Sequence, residues 1–272
     1  MTYKPNPYKI KKIEQITPDV KLLKIKCNLN PKPGQFIQVS VPGIGECPLA
    51  SCSYNKKFID LLTKNAGNVT SSIFQLNTKN RIFIRGPYGN GYPIKKFEGN
   101  HLILAAGGTG IAPVTSLINY IEQNRKKFKD IYIYFGFRNR EYILLKERIQ
   151  NWKNKFNITI CLDQDDNTGK LRCEKGFIHN IMRKHKTRFK LPNAIAILCG
   201  PEVMMDSISK TLNKLNIPDE RIYWSMERRM ECGLGNCNRC LIQDLYVCKD
   251  GPVFRYDIIK PRLINENSNN EK

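Results

Sequence analysis

Four cysteines stand close together near the C-terminal end of this chain, in the order Cys232-Gly233-Leu234-Gly235-Asn236-Cys237-Asn238-Arg239-Cys240 and then, after seven further residues, Cys248. Four thiols in one short stretch call for a shared partner, and the C-x4-C-x2-C…C spacing is that of a plant-type [2Fe–2S] centre. Four thiolates must converge there on two irons and two bridging sulfides. Gly233 and Gly235 give the loop the freedom to turn backbone amides toward the sulfurs. The competing reading is a four-cysteine zinc site, whose ligand pairs are usually two to four residues apart. The spacing favours the iron–sulfur centre and makes Cys232, Cys237, Cys240 and Cys248 its expected ligands. The other cysteines, Cys27, Cys47, Cys52, Cys161, Cys173 and Cys199, are scattered and read by default as small hydrophobes.

A second constraint lies upstream. The apolar run His101-Leu102-Ile103-Leu104-Ala105-Ala106 reads as a buried parallel strand. It runs into Gly107-Gly108-Thr109-Gly110-Ile111-Ala112-Pro113, a glycine turn opening a helix whose amides and dipole can hold a pyrophosphate. Taken alone, a plain tight turn explains the same residues. Further strands are expected at Ile131–Phe135, Asn157–Cys161, Ala194–Leu198 and Arg221–Trp224, with helices over about Tyr142–Trp152 and Glu202–Leu215. This alternation predicts a doubly wound α/β domain on a parallel sheet. Cys199-Gly200-Pro201 falls at a strand's carboxyl end, where ligands bind in such sheets, although a buried cysteine before a turn is the simpler reading of that motif alone.

Residues 1 to about 97 have a different texture. Strands are expected at Tyr8–Ile13, Val20–Ile25, Gln35–Val41, Phe58–Thr63 and Arg81–Ile84, with a short helix near Val69–Leu76. Such spacing predicts an antiparallel barrel. Lys64-Asn65-Ala66-Gly67-Asn68-Val69-Thr70 places a glycine and a hydroxyl at a helix start, a loop able to bind phosphate, while helix capping by the threonine is commoner. Gly86-Pro87-Tyr88-Gly89-Asn90-Gly91 reads as a turn. From Met226 onward neither helix nor strand period holds, and Asn265–Lys272 is expected to fray. The expected segments are 1–97, 98–225 and 226–272, and 272 residues suit about two domains.

Composition narrows the function. The chain carries 45 Lys and Arg against 24 Asp and Glu, a net charge of +21. No stretch approaches the ~20 consecutive apolar residues of a membrane span, and Met1–Pro7 has no apolar signal region, so a soluble cytoplasmic chain is expected. Ten cysteines in that setting are not a disulfide framework. The basic runs Arg125-Lys126-Lys127 and Arg183-Lys184-His185-Lys186 lack the aromatic interleaving of a nucleic-acid platform. A basic zinc-stabilised module for nucleic acid would explain the charge and four cysteines, yet it leaves both glycine motifs unexplained. With only 3 histidines, no Ser/His/Asp constellation is visible.

In this order the motifs resemble the ferredoxin–NADP reductase superfamily over essentially the whole chain. Its fold implies an N-terminal antiparallel β-barrel for FAD, an α/β nucleotide-binding domain with Gly-Gly-x-Gly-x-Ala-Pro and Cys-Gly-Pro, and here a C-terminal cluster tail. Glu227-Arg228-Arg229-Met230-Glu231-Cys232 and Val247-Cys248-Lys249-Asp250-Gly251-Pro252-Val253-Phe254 narrow the resemblance to electron-transfer subunits of anaerobic multi-subunit reductases. The electron-transfer subunit of anaerobic sulfite reductase and the gamma subunits of sulfhydrogenases are the nearest types. The dihydroorotate dehydrogenase electron-transfer subunit ranks third, since its last two cluster cysteines usually lie further apart.

The resemblance implies that NADH reduces FAD, from which single electrons pass through the [2Fe–2S] centre to catalytic and iron–sulfur subunits of a partner, a siroheme-type sulfite reductase first. It places Gly107, Gly108, Thr109 and Gly110 at the nicotinamide cofactor's pyrophosphate. Cys199, as the catalytic-side residue, falls beside the nicotinamide with Gly200 and Pro201. Gly67, Val69 and Thr70 fall at the FAD pyrophosphate, with Leu62, Thr63 and Lys64 on the adjoining strand. The family's Arg-x-Tyr/Phe-Ser flavin motif aligns with Cys47-Pro48-Leu49-Ala50, so Pro48, Leu49 and Ala50 stand at the flavin without the arginine, the aromatic or the serine. Losing such a charged hydrogen bond costs roughly 1.5–3 kcal/mol unless compensated, which implies a flavin held more weakly or largely through backbone groups. NADH is the expected donor, with NADPH kept open because Arg138 or Arg140 could meet a 2′-phosphate.

Overall fold

The computed structural model describes residues 4–166, 168–169, 171–189 and 191–270. Contacts divide the chain into two compact units, Met1–Tyr92 with Ala112–Gln123 and Glu227–Val253, and Pro93–Ile111 with Asn124–Met226 and Phe254–Lys272.

The first unit is built on strands β1 (Asn6–Thr17), β2 (Val20–Lys26), β3 (Phe36–Val41), β4 (Gly45–Ala50), β5 (Phe58–Lys64) and β6 (Arg81–Tyr88), with helix α1 (Asn68–Gln75) between the last two. They form one antiparallel sheet in the order β4-β3-β6-β1-β2-β5. Its edge strands meet at the isolated bridge Ser51↔Leu61, which curls the sheet into a barrel. Every second residue points inward. Leu23 and Ile25, Ile37 and Val39, Ile59 and Leu61, and Ile82 and Ile84 therefore share one core, with Ile73 of α1 packed among them. Strand β4 has no counterpart among the sequence expectations. Pro48 sits within it, and proline is tolerated where a strand's N–H side lies at a sheet edge.

The second unit holds β7 (Leu102–Gly107), β8 (Ile131–Phe137), β9 (Asn157–Leu162), β10 (Glu174–Lys175), β11 (Ile195–Cys199) and β12 (Ile222–Ser225). Their sheet runs β10-β9-β8-β7-β11-β12-β15, where β15 spans Val253–Arg255. All the pairings from β10 to β12 are parallel. Leu102 to Ala106 and Ile195 to Cys199 are buried throughout, which explains their unbroken apolar runs. The helices of this unit are α2 (Ile94–Phe97), α4 (Lys146–Lys153), α5 (Ile178–Lys184) and α6 (Glu202–Lys214), whereas α3 (Ile111–Gln123) belongs from Ala112 onward to the first unit. Helix α4 starts later than expected. Ile143, Leu144 and Leu145 are all buried, which one helix face cannot achieve for consecutive residues, and Leu145 turns the chain at φ 53°.

Beyond Met226 the chain is more ordered than its sequence suggests. A hairpin of β13 (Leu241–Ile242) and β14 (Leu245–Tyr246) lies inside the cysteine segment. Helix α7 (Tyr256–Asn270) replaces the expected frayed tail up to Asn270, and positions 271–272 lie outside the described residues. Tyr256, Ile259 and Leu263 form its buried stripe, and Tyr256 stacks on Trp224 at 4.6 Å. Among the described residues no helix is long and apolar enough to cross a membrane.

Leu61→Ala would open a cavity at the point where the barrel closes, because Leu61 is fully buried, pairs with Leu23 and bridges Ser51. A loss of about 2–5 kcal/mol is expected in denaturant unfolding of the purified chain.

Candidate functional site

The cysteine segment is folded by its own hydrogen bonds. Strands β13 and β14 fill the gap between Cys240 and Cys248 and bring the second back to the first: Val247 N donates to Cys240 O at 3.2 Å and Cys248 N to Cys240 Sγ at 3.4 Å. Across the tighter loop, Leu234 N and Asn236 N each donate to Cys232 Sγ at 3.3 Å, and Gly235 N donates to Cys248 Sγ at 3.2 Å. Burial alone would raise the Cys232 thiol, yet the amides of Leu234, Asn236 and Cys237 outweigh it and bring the group down to about 6. Burial and the neighbouring Cys240 push Cys248 up. The loop thus turns backbone amides onto three of the four sulfurs, those of Cys232, Cys240 and Cys248. Among the described residues, no three His, Cys, Asp or Glu side chains converge where one metal ion could sit. Cys232, Cys240 and Cys248 are buried and Cys237 is partly exposed. Gly233 has φ +77°, and a Cβ there would stand 2.9 Å from the Tyr88 ring.

The barrel grips this loop from below. Gln38 Nε2 donates to the carbonyls of Met230 and Glu231 at 3.0 and 3.2 Å. The Arg85 guanidinium, with its side chain 3% exposed, donates to Cys232 O at 2.6 Å and Glu231 O at 2.8 Å. It also holds the Tyr88 hydroxyl at 3.0 Å and a two-pronged ion pair with Glu46 of β4. Burial opposes both charges. The mutual hydrogen bonds prevail, so Arg85 is held above its usual range and Glu46 below the usual carboxylate range. Asn90 completes the grip, donating through Nδ2 to the carbonyls of Asp250 and Val253 at 2.8 and 3.0 Å. None of Gln38, Glu46, Arg85 or Asn90 was singled out by sequence, because each acts through partners distant along the chain.

On the same unit, β4 carries Pro48, Leu49 and Ala50, all half-buried, and β5 carries Leu62, Thr63 and Lys64. Helix α1 brings Gly67, Val69 and Thr70 beside them: Val69 Cγ2 lies 3.3 Å from where a Cβ on Gly45 would stand. Thr70 Oγ1 accepts from Ala66 N at 3.0 Å and Gly67 N at 2.9 Å, so this hydroxyl closes the turn at the helix start. Gly67 is exposed, with nothing within 4 Å of a Cβ placed there. The Thr63 hydroxyl is buried without a hydrogen-bond partner among the described residues, and Lys64 is an exposed cation 3.7 Å from Asp19. An open glycine turn beside an orphaned hydroxyl and an exposed lysine suits the phosphates of a dinucleotide. Arg85 does not replace the arginine missing at Cys47, since its donors are already engaged.

In the second unit the two glycine motifs meet. Strands β7 and β11 are neighbours, with Ala106 opposite Cys199. Strand β8 lies on the other side of β7, so the order of the sheet reverses there. Ligands bind at such switch points, outside the carboxyl ends of the strands. Gly107 ends β7, and Gly108–Gly110 form a 3-10 turn that leads into α3. A Cβ on Gly110 would stand 2.6 Å from Cys199 O and 2.8 Å from Gly200 N, so backbone packs directly on backbone. Cys199 itself is fully buried, and Gly200-Pro201 lead from it into α6. Arg140, after β8, is not held ready for a phosphate. Its Nε and Nη2 pair with the buried Asp165 at 2.6 and 3.2 Å, and Nη1 donates to Leu171 O at 2.9 Å. Arg138 is exposed.

Residues 104–210 match the family described as oxidoreductase NAD-binding domain, and residues 227–260 the iron–sulfur cluster binding domain of dihydroorotate dehydrogenase B. Sulfhydrogenase 2 subunit gamma of Pyrococcus furiosus is 34% identical over 278 residues, covering 92% of this chain and 96% of that one. A probable dihydroorotate dehydrogenase B (NAD(+)) electron transfer subunit of Thermococcus kodakarensis is 32% identical, over 90% of this chain and 94% of its own. Among solved structures, a chain of an NADH-dependent reduced ferredoxin-NADP oxidoreductase superposes with a TM-score of 0.76 at 22% identity, covering 95% of this chain and 93% of that chain. Fold and site together define an NAD-dependent oxidoreductase subunit of ferredoxin–NADP reductase-like fold with an iron–sulfur binding segment. The chain belongs to the family of electron-transfer subunits that includes the sulfhydrogenase gamma subunits and the electron transfer subunits of dihydroorotate dehydrogenase B.

Gly110→Ala would force the β7 turn away from Cys199. NADH affinity of the purified chain is expected to fall at least about tenfold, about 1.4 kcal/mol, by titration calorimetry.

Proposed function

We propose that the chain oxidises NADH through FAD and passes single electrons through a [2Fe–2S] centre to the catalytic and iron–sulfur subunits of a partner reductase. The observation that carries this reading is a C-x4-C-x2-C…C loop whose backbone amides donate to the sulfurs of Cys232, Cys240 and Cys248. Four-cysteine zinc sites usually space their ligand pairs by two to four residues, unlike the spacing here. Two irons bridged by sulfide take two thiolates each. Flavin chemistry is needed because a nicotinamide delivers a hydride while an iron–sulfur centre takes one electron.

The residues divide that work. Gly107, Gly108, Thr109 and Gly110 would seat the NADH pyrophosphate, with Cys199, Gly200 and Pro201 on the nicotinamide side. Leu62, Thr63, Lys64, Gly67, Val69 and Thr70, with Pro48, Leu49 and Ala50, would hold FAD mainly through backbone groups. NADH is favoured over NADPH because Arg140 is already paired with Asp165. Residues 1–97, 98–225 and 226–272 would form the FAD, nucleotide and cluster portions of a cytoplasmic protein.

The proposed partner is an anaerobic siroheme-type sulfite reductase, a reading supported by the motifs around Cys232 and Cys248. A second reading, a sulfhydrogenase, is favoured by the 34% identity to a gamma subunit. Sulfide formed from sulfite, against hydrogen evolved, on mixing the NADH-supplied chain with each catalytic complex separates the two.

Anaerobic visible spectra test the core of the proposal. Flavin and iron–sulfur absorption bleached by NADH, and at higher concentration by NADPH, is the expected result. Colourless protein after iron, sulfide and FAD are supplied would overturn it. Cys240→Ser is expected to lose most of the iron while flavin absorption persists.

A further inference from the structure

All five N–H donors of Arg85 have a partner. Nε and one Nη2 proton go to Glu46, the other Nη2 proton to Glu231 O, and the two Nη1 protons to Tyr88 Oη and Cys232 O. Two of these acceptors are consecutive carbonyls of the segment that ends in the first cysteine of the motif. In a trans peptide the carbonyl and the following N–H point in opposite directions. Drawing Glu231 O and Cys232 O toward the guanidinium therefore turns the N–H groups of Cys232 and Gly233 away from it. Gln38 acts in the same sense on Met230 O and Glu231 O. The carbonyl face of the loop is thus fixed on the barrel, while the amides of Leu234, Gly235 and Asn236 donate to Cys232 and Cys248 sulfurs.

The charges on this grip are also arranged. Glu46 accepts the paired donors of Arg85 and a hydrogen bond from Ser40. Its side chain is 27% exposed, against 3% for Arg85, so the cation lies deeper than its counter-ion. Charge-assisted, multiply anchored contacts of this kind fix geometry as well as charge.

We propose that Arg85 is a positioning residue for the iron–sulfur centre, holding the loop that orients N–H dipoles onto the cysteine sulfurs, and that Glu46 sets the net charge which this guanidinium presents to them. The proposal rests on the reading of Cys232, Cys237, Cys240 and Cys248 as ligands of a [2Fe–2S] centre. Hydrogen bonds to the sulfurs and local net charge are the levers by which a protein sets the potential of such a centre. Reduction adds negative charge, so oriented N–H groups and an uncompensated cation both favour the reduced form.

Two substitutions then have opposite signs. Arg85→Gln removes the cation and loosens the carbonyl face, and lowers the reduction potential. Glu46→Gln leaves the guanidinium and its two carbonyl bonds but removes the compensating charge, and raises it. The experiment is an anaerobic redox titration of the full chain, reconstituted with iron and sulfide and followed by the electron paramagnetic resonance of the reduced centre. Shifts in opposite directions are the expected result. Equal potentials in all three proteins, or shifts of the same sign, would overturn the role of Arg85 and Glu46 while leaving the cluster reading intact. Should Arg85→Gln hold no cluster, Glu46→Gln decides alone: a raised potential supports the proposal, and an unchanged or lowered one overturns it. A wild-type chain that takes up zinc in place of iron and sulfide overturns the cluster reading, and the proposal with it.

Discussion

A buried guanidinium is tolerated only when its charge is paired and its donors are met, and Arg85 satisfies that demand with groups drawn from three parts of the first unit. Glu46 comes from the edge strand β4, Tyr88 from the end of β6, and Glu231 and Cys232 from the cysteine segment. The loop has little regular structure of its own, only the short hairpin Leu241–Ile242 and Leu245–Tyr246. Its own hydrogen bonds are therefore supplemented from outside, by Arg85 and Gln38 on one stretch and by Asn90 on the other. Within the loop the amides of Leu234 and Asn236 donate to the Cys232 sulfur and lower that thiol.

The nucleotide crevice follows from a different constraint. Parallel strands buried on both faces end in a row of backbone groups, and the reversal of strand order at β7 leaves a gap there. Two glycine motifs far apart in sequence are needed at that gap because Gly110 packs against the Cys199 carbonyl with no room for a side chain. After β8, Asp165 engages Arg140 while Arg138 is exposed.

Much of this was legible in the sequence, for local reasons. The strand–glycine–helix pattern at Leu102–Ala112 and the cysteine spacing are short-range signals, and the first is seen as β7, a 3-10 turn and α3, while the second falls in a segment that matches an iron–sulfur binding domain. Other elements were hidden by residues that break local rules. Pro48 masks β4, three consecutive apolar residues before Lys146 mimic a longer helix, and Pro261 with a polar end conceals α7, although Tyr256, Ile259 and Leu263 keep helical spacing. The grip on the cysteine loop could not be read at all. Arg85 and Cys232 lie 147 positions apart and Gln38 and Met230 lie 192 apart, and nothing in either neighbourhood marks the pairing. Likewise, the missing flavin arginine at Cys47 suggested a gap, while the fold shows Arg85 engaged elsewhere and Lys64 as the exposed cation on the strand leading to Gly67.

The most direct test of electron flow from nicotinamide to the cysteine segment is spin counting on the FAD-loaded, cluster-reconstituted chain. Excess NADH under anaerobic conditions should fill the flavin with two electrons and the centre with one, leaving about one unpaired spin per chain with the signature of a reduced [2Fe–2S] centre, and flavin-stripped protein should generate none. A chain in which dithionite raises that signal but NADH with FAD bound does not would contradict the account.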